Sequence, residues 1–522
     1  MKKMVALSAV AAFATMSFAS GGPCTSSDDL RAELEQLKAQ IAELKEAQSK
    51  INLAALKKQI REIKAHDAGD NIKWNVDFRT AYDVIGYESA CPSCNTGNWN
   101  QIFTNRLWLG MGFAPTSNIV FKGLLSYYKM YGQMTRPAQG FNYFDWVVNE
   151  TPNPSGEIRV KEAYWLYLGD SFLGTGIPWT ASLGRRPATD GLLINYREDQ
   201  DPKSPIGHII NTEFDGASFK FKLGDVTGIP GMSFKLCMGR GMTNAQARYA
   251  KLIADGQGGL LVSSTEREYM EYAKLSGWNH TDLFGFIFVP YDDGQYSIHT
   301  TAFKAWNMPG MVPNGTTTIG GTVYYKYNFA QLGNYYGAAI SFLAQGIGDG
   351  INDFLDDTNA FVSFAWSKTD PKGNNIMQGF ENPFAPGTYI GAAPGESKTG
   401  NSIYVGVNFP LDALISGTRM GLEYNHGSKY WRSMTYAEDT LAGSKMAVRG
   451  NAYEAWINKD IIGKTLTAQL RYTYMDFDYT GSHGFFGAGS TPVDVDDIDV
   501  AKNILHATKK AQDIRVYLRY RY

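Results

Sequence analysis

Beyond Gly69 the chain is built from short segments in which apolar and polar residues alternate. Ile72, Trp74, Val76 and Phe78 alternate with Lys73, Asn75, Asp77 and Arg79. Leu107, Leu109, Met111 and Phe113 alternate with Arg106, Trp108, Gly110 and Gly112. The turn Ala114–Asn118 then leads into Ile119, Phe121, Gly123, Leu125 and Tyr127. The same period returns at Ala217–Leu223, Met232–Met238, Val362–Trp366, Ile403–Phe409, Met420–Tyr424 and Leu466–Tyr474. It is cleanest at the end, where Ile514, Val516, Leu518, Tyr520 and Tyr522 share one face and Arg515, Tyr517, Arg519 and Arg521 the other. Strand side chains point to opposite faces with period two, so each segment reads as a strand with one apolar and one polar face. The reading gives about 17 strands of roughly ten residues, the length a tilted strand needs to cross a bilayer.

Asp28 to Ala65 has a different period. Leu30, Leu34, Leu37, Ile41 and Leu44 recur at spacings of four and three, the pattern of a coiled-coil seam. Gln48 and Ile51 continue it, and Leu53, Leu56, Ile60 and Ile63 resume it in shifted phase, which implies a skip near Ser49–Asn52. Such a stripe suits a helix lying on its own domain or a self-associating coiled coil; its narrowness and charged flanks favour self-association. Before it, Lys2 and Lys3, the apolar run Met4–Met16 and the small residues Ser17 and Ala19 form an export signal at residues 1–19, cut after Ala19. Residues 20–69 are then a helical preface and linker, and 70–522 the strand domain. Pro23 ahead of Cys24 argues against lipidation.

Composition narrows the strand domain. No stretch approaches the roughly 20 apolar residues of a membrane helix. Mean hydropathy is −0.28, which suits a barrel with a polar lumen as well as a secreted sandwich. A sandwich buries its apolar faces against a twin sheet. Here the strands are long and uniform, with Tyr, Trp and Phe near their ends, as in the girdles of membrane barrels. Closure also removes every unpaired edge, which hydrocarbon demands. The expected fold is an all-β, transmembrane, antiparallel up-and-down barrel. Counted from the first strand, residues 370–400 fall on the periplasmic side; counted back from Tyr522, they fall outside. Single-chain bacterial barrels have even strand numbers, so roughly 16–18 is expected, with the miscount between Met308 and Asn401. A formal charge of −2 gives no reason to expect nucleic acid as a partner.

The stretch Ile158–Trp165, followed by Ala181–Pro187, resembles an adjacent strand pair of Gram-negative porins. There a basic-x-x-Ala-Tyr strand precedes one ending Gly-Arg-x-Pro; Lys161, Ala163 and Tyr164 approximate the first, and Gly184, Arg185 and Pro187 match the second. Leu518, Tyr520 and Tyr522 resemble the C-terminal assembly signal of outer-membrane barrels. Over residues 70–522 the chain resembles functionally uncharacterised porin-like proteins that carry a helical preface. The resemblance implies a Gram-negative outer-membrane site, a periplasmic preface and a homotrimer. It also suggests that Met130–Glu157 folds into the lumen as a constriction; a plain surface loop is the other reading.

Candidate chemistry lies in the cations of the polar faces. Arginine facing lipid at the midplane costs roughly 2–4 kcal/mol, so Lys73, Arg79, Arg106, Arg159, Lys161, Arg185, Lys220, Lys222, Arg471, Arg515, Arg519 and Arg521 are expected to line the pore. They either bias it towards anions or pair with acids such as Asp77, Glu162 and Glu423. Cys91 and Cys94 are expected to form a local disulfide in an oxidising exterior; Asn95 stands where a haem motif needs His. Asp494, Asp496, Asp497 and Asp499 read as a solvated acidic loop, because the Gly-punctuated pattern of a calcium loop is absent. Seven histidines scattered singly show no metal spacing, and no nucleophile, phosphate-loop or dinucleotide signature selects catalytic residues. The expected function is passive diffusion of small hydrophilic solutes or ions, with no cofactor and no metal. Alternatives are a barrel sheath for an electron-transfer or other partner, or a structural or adhesive role.

Overall fold

The computed structural model describes residues 72–522 apart from stretches within loops, the longest at 92–98, 134–144, 263–270, 482–490 and 498–506. The expected export signal, Cys24, Cys94 and the coiled-coil helix lie outside the described residues. Sixteen strands form a closed barrel in sequence order. They are β1 (Lys73–Ser89), β2 (Trp99–Thr116), β3 (Ile119–Met130), β4 (Arg159–Gly169) and β5 (Trp179–Arg186). Then come β6 (Phe214–Lys222), β7 (Ser233–Met242), β8 (Thr281–Asp292), β9 (Tyr296–Ile319), β10 (Thr322–Gln345) and β11 (Asn359–Pro371). The last are β12 (Thr399–Pro410), β13 (Thr418–Gly427), β14 (Gly450–Ile462), β15 (Leu466–Phe477) and β16 (Thr508–Arg521).

Every neighbour is antiparallel, and β16 returns to β1 to close the ring. Tyr522 finishes the ladder: its N–H donates to the Val76 carbonyl (2.9 Å) and its carbonyl accepts from the Val76 N–H (2.8 Å). Short links such as 117–118, 293–295 and 463–465 gather at one end, here the turn end, and the long connections lie at the opposite, loop end.

Sixteen strands settle the count. The difficult stretch is β9 and β10, 24 residues each, over twice what a crossing needs. Pro309, Gly310 and Pro313 interrupt the alternation there, and the register shifts between Ala305 and Met308 and between Pro313 and Thr316. Proline inside a run reads as a break in a strand, so the pattern does not outline this hairpin, which lies in the region expected to hold the miscount. Residues 372–398 join β11 to β12 at the loop end, in agreement with the count taken back from Tyr522.

Polarity is inverted relative to a water-soluble sheet. On β16, Ile514, Val516, Leu518 and Tyr520 are 37–52% exposed, whereas Asp513, Arg515, Tyr517 and Arg519 are at most 4% exposed. The same holds on β15, where Leu470 and Tyr472 face out and Arg471 and Thr473 are buried. Trp74, Phe121 and Trp165 stand exposed towards the turn end, and Phe103, Tyr453 and Trp366 towards the loop end. An apolar outer wall between aromatic belts is built to meet lipid.

That wall yields a test. Leu470→Arg should cost about 2–4 kcal/mol in urea-induced unfolding of vesicle-inserted protein, and Leu470→Ala clearly less. Equal effects would contradict the lipid-facing assignment.

Candidate functional site

The inner wall of β1, β2, β15 and β16 sets an electrostatic problem. The ladder places Arg79 directly opposite both Arg106 and Arg519, and Arg471 opposite Arg515. Like charges facing one another across strands repel, and all five side chains are buried. Wall carboxylates answer part of it: Asp83 pairs with Arg515, and Asp77 accepts from Arg519 Nε at 2.9 Å. The rest of the counter-charge comes from inside the barrel.

Two loop-end connections turn inward. The first, residues 187–213, leaves β5 and reaches the opposite end of the lumen. There the Asp199 carboxylate accepts from Lys464 in the β14–β15 turn (2.9 Å) and from Arg521 (3.0 Å). On the way, Glu198 pairs with Arg471 at 3.1 Å, and its carbonyl accepts from Arg519 at 2.7 Å. Arg197 reaches Glu454 on β14 at 2.9 Å, while its own carbonyl accepts from Gln469 and Asn458. Its other side is apolar: Leu192, Leu193, Ile206, Ile209 and Ile210 share a core with Phe303, Leu343 and Phe361 of β9–β11.

The second, residues 428–449, carries Asp439 into the arginine patch. Its carboxylate bonds Arg79, with Nη2 at 2.7 Å, and lies 3.3 Å from Arg515 and 3.6 Å from Arg106. Its carbonyl accepts from Arg471 and Arg515. Burial pushes this carboxyl up, and Arg79, Arg515 and Arg106 overcome that and hold it well below the ordinary carboxylate range. A folded value below the unfolded one adds stability that is complete above the unfolded value and is lost on acidification, so this docking is intact at neutral pH. Lys445 bridges Glu423 and Glu454 at 2.5 Å each. Gly400 permits the close approach: a Cβ there would lie 2.2 Å from the Trp431 nitrogen.

The inward segments also bond each other, Met434 N–H to the Ile209 carbonyl and Asn211 N–H to the Met434 carbonyl. His208 is fully buried at this junction, with ring nitrogens 2.9 Å from Ser363 and Ser402 and its face near Tyr404 and Trp431. Burial, against a smaller opposing effect of Asn425, pushes its pKa down to about 3. It therefore packs as neutral imidazole. Its contribution is complete above the free imidazole value of about 6.5 and is lost towards the folded value.

The expected cations occupy several places, with Lys73 exposed at the turn-end start of β1. Arg79, Arg106, Arg471, Arg515 and Arg519 form the paired patch, with Arg521 at its turn-end edge on Asp199. Lys220 and Lys222 stand on β6, Lys222 exposed and Lys220 against a cavity described below. Arg159 and Arg185 lie at the loop-end rim with Asp145, Glu157 and Asp215; Arg185 shares the face of β5 that carries exposed Leu183. A bulge in β4 between Val160 and Glu162 re-aims Lys161 inward, onto Glu150 and Glu213. Of stretch 130–157, Trp146 is fully buried, 6.0 Å from the Phe214 ring. Cys91 is disulfide-bonded.

Sequence reasoning missed Arg197, Glu198, His208, Asp439 and Lys445. One signal was available for the first segment: Leu192-Leu193-Ile194 and Ile209-Ile210 are apolar runs without alternation in a connection that would otherwise face water.

Removing the central charge should loosen the second segment. Asp439→Asn leaves Arg79, Arg106 and Arg515 buried with less counter-charge, a loss on the order of 3–5 kcal/mol. The expected readout is new protease cleavage within 428–449 while the barrel stays folded. An unchanged cleavage pattern would show that Asp439 is not the docking charge.

Among solved structures the chain is similar to OprB of Pseudomonas putida, at 10% identity and TM-score 0.44, covering 88% of this chain and 96% of that one. It is also similar to an anion-selective porin from Comamonas acidovorans, at 11% identity and TM-score 0.42, covering 87% and 99%. A third is the outer membrane channel DcaP of Acinetobacter baumannii, at 12% identity and TM-score 0.40, covering 87% and 97%. No curated protein matches the sequence. A family model described as "Protein of unknown function (DUF3373)" matches residues 96–522, and the chain belongs to that family.

Proposed function

We propose that the protein is an outer-membrane channel for passive diffusion of small hydrophilic solutes or ions, narrowed by its own two inward segments. The observation that carries this reading is the polar space left beside the tip of the first segment. One cavity of about 470 Å³ is lined by Asn195, Asn359, Asn408, Arg419, Asp460 and Lys464, among others. A second, of about 330 Å³, lies against β5–β9. Water-filled space with fixed charges on its walls is what passive conduction requires. The inner wall is polar and the outer wall apolar, which supports insertion in a bilayer.

A sheath around an electron-transfer partner calls for a lumen free to admit one. Arg197, Trp431 and Asp439, buried inside the barrel, favour a narrow channel instead. In this proposal residues 1–19 export the chain, and the helical preface at 20–69 assembles trimers in the periplasm.

Single-channel recording in planar bilayers tests the reading. The wild-type protein should give a small, steady conductance, and Glu198→Gln with Asp439→Asn should raise it severalfold by releasing both segments. Folded protein that carries no current in either form would overturn the channel.

A further inference from the structure

The electrostatic problem of the arginine patch recurs elsewhere on the inner wall. On β6 and β7, Lys220 stands directly opposite Lys235, a like-charged pair of the kind that repels. On the opposite wall the arginine patch receives Asp439 and Glu198. Here the lysines face a cavity of about 330 Å³ between β5–β9 and the side of the first inward segment.

The lining is one-sided in charge. Arg186, Lys203, Lys220, Lys235 and His299 contribute to it, and among the described residues no Asp or Glu does. Glu162, which pairs with Lys203, and Asp292, at the end of β8, are outside the lining. Hydroxyls fill the intervals: Thr180, Ser204, Ser218 and Ser233, with Lys235 donating to Ser204 at 2.9 Å. The arrangement is held in place. Arg186 lies 4.1 Å over the Tyr164 ring, and its buried Nη1 has no hydrogen-bond partner among the described residues. Ser218 is fixed by Ser182 at 2.8 Å. Converging ammonium and guanidinium donors with interspersed hydroxyls match an acceptor-only ligand of high charge density. The cavity across the segment tip differs, because Asp199, Asp412 and Asp460 there offset Arg419 and Lys464.

We propose that the cavity bounded by Arg186, Lys203, Lys220 and Lys235 is a binding site for a small oxyanion carrying more than one negative charge. The ligand supplies to β6 and β7 what Asp439 supplies to the arginine patch. This deepens the channel reading and rests on it for the consequence in transport: such a site concentrates small multivalent anions in the lumen. Binding itself does not depend on conduction.

Inorganic phosphate is the probe, titrated at pH 7.5 into the full-length, folded protein in detergent and followed by calorimetry, with sodium chloride held constant. Saturable binding is expected. Lys220→Gln with Lys235→Gln should weaken it by about tenfold or more. Lys304→Gln with Lys368→Gln is the charge-matched control: these lysines flank Tyr336 across β9–β11, at the positions Lys304↔Tyr336 and Tyr336↔Lys368, away from the cavity lining. The control should bind as the wild type does, and retained heat-modifiable migration shows that each variant is folded. Absence of saturable phosphate binding, or equal weakening in both pairs, overturns the site. Recording the same preparations in bilayers separates the two claims. Conduction without phosphate binding removes the site and leaves the channel; phosphate binding without conduction supports the site and removes the channel.

Discussion

The ladder that closes the barrel also decides what its interior must contain. Once β1 pairs with β2 and β16, Arg79 has Arg106 on one side and Arg519 on the other, and all three side chains are buried on the inner wall. Turning them outward would place guanidinium groups in hydrocarbon. Water alone does not serve either, since the patch is buried. Asp77 and Asp83 on the wall meet part of the charge, and carboxylates delivered from the lumen, Asp439 and Glu198, meet more of it. The courses of both inward segments follow from this need.

Apolar contact completes the placement. Residues 187–213 present charge to β14–β16 and aliphatic side chains to Phe303, Leu343 and Phe361. The segment is thus held between two unlike walls, and its tip is fixed at the turn end by Lys464 and Arg521. The space left inside the barrel is divided accordingly, with a cationic cavity on the β5–β9 side and a mixed one across the tip.

The parts of this structure that are local in the chain were legible in the sequence. Alternation over a few residues identifies a strand and its two faces, so the lipid-facing Ile514, Val516 and Leu518 and the inward Arg515 and Arg519 could be assigned without coordinates. Where Pro309, Gly310 and Pro313 break the period, β9 and β10 lost their outline. The inward segments were not legible, because their contacts are remote: Arg79 meets Asp439 across 360 positions and Arg197 meets Glu454 across 257. Periodicity shows that an arginine faces inward. It does not show whether water, a wall carboxylate or a returning loop will meet it. Arg159 and Arg185 illustrate a second limit, since near a strand end the rim geometry and nearby acids place a side chain as much as strand parity does.

The central claim is that residues 189–213, 428–436 and 439–449 are docked structure inside the barrel. Hydrogen exchange followed by mass spectrometry, on the full-length protein in lipid at neutral pH, tests it most directly. Protection in peptides covering Leu192–Ile210 and Trp431–Val448 should approach that of β14–β16. Exchange in those peptides as fast as in an exposed loop would contradict the account.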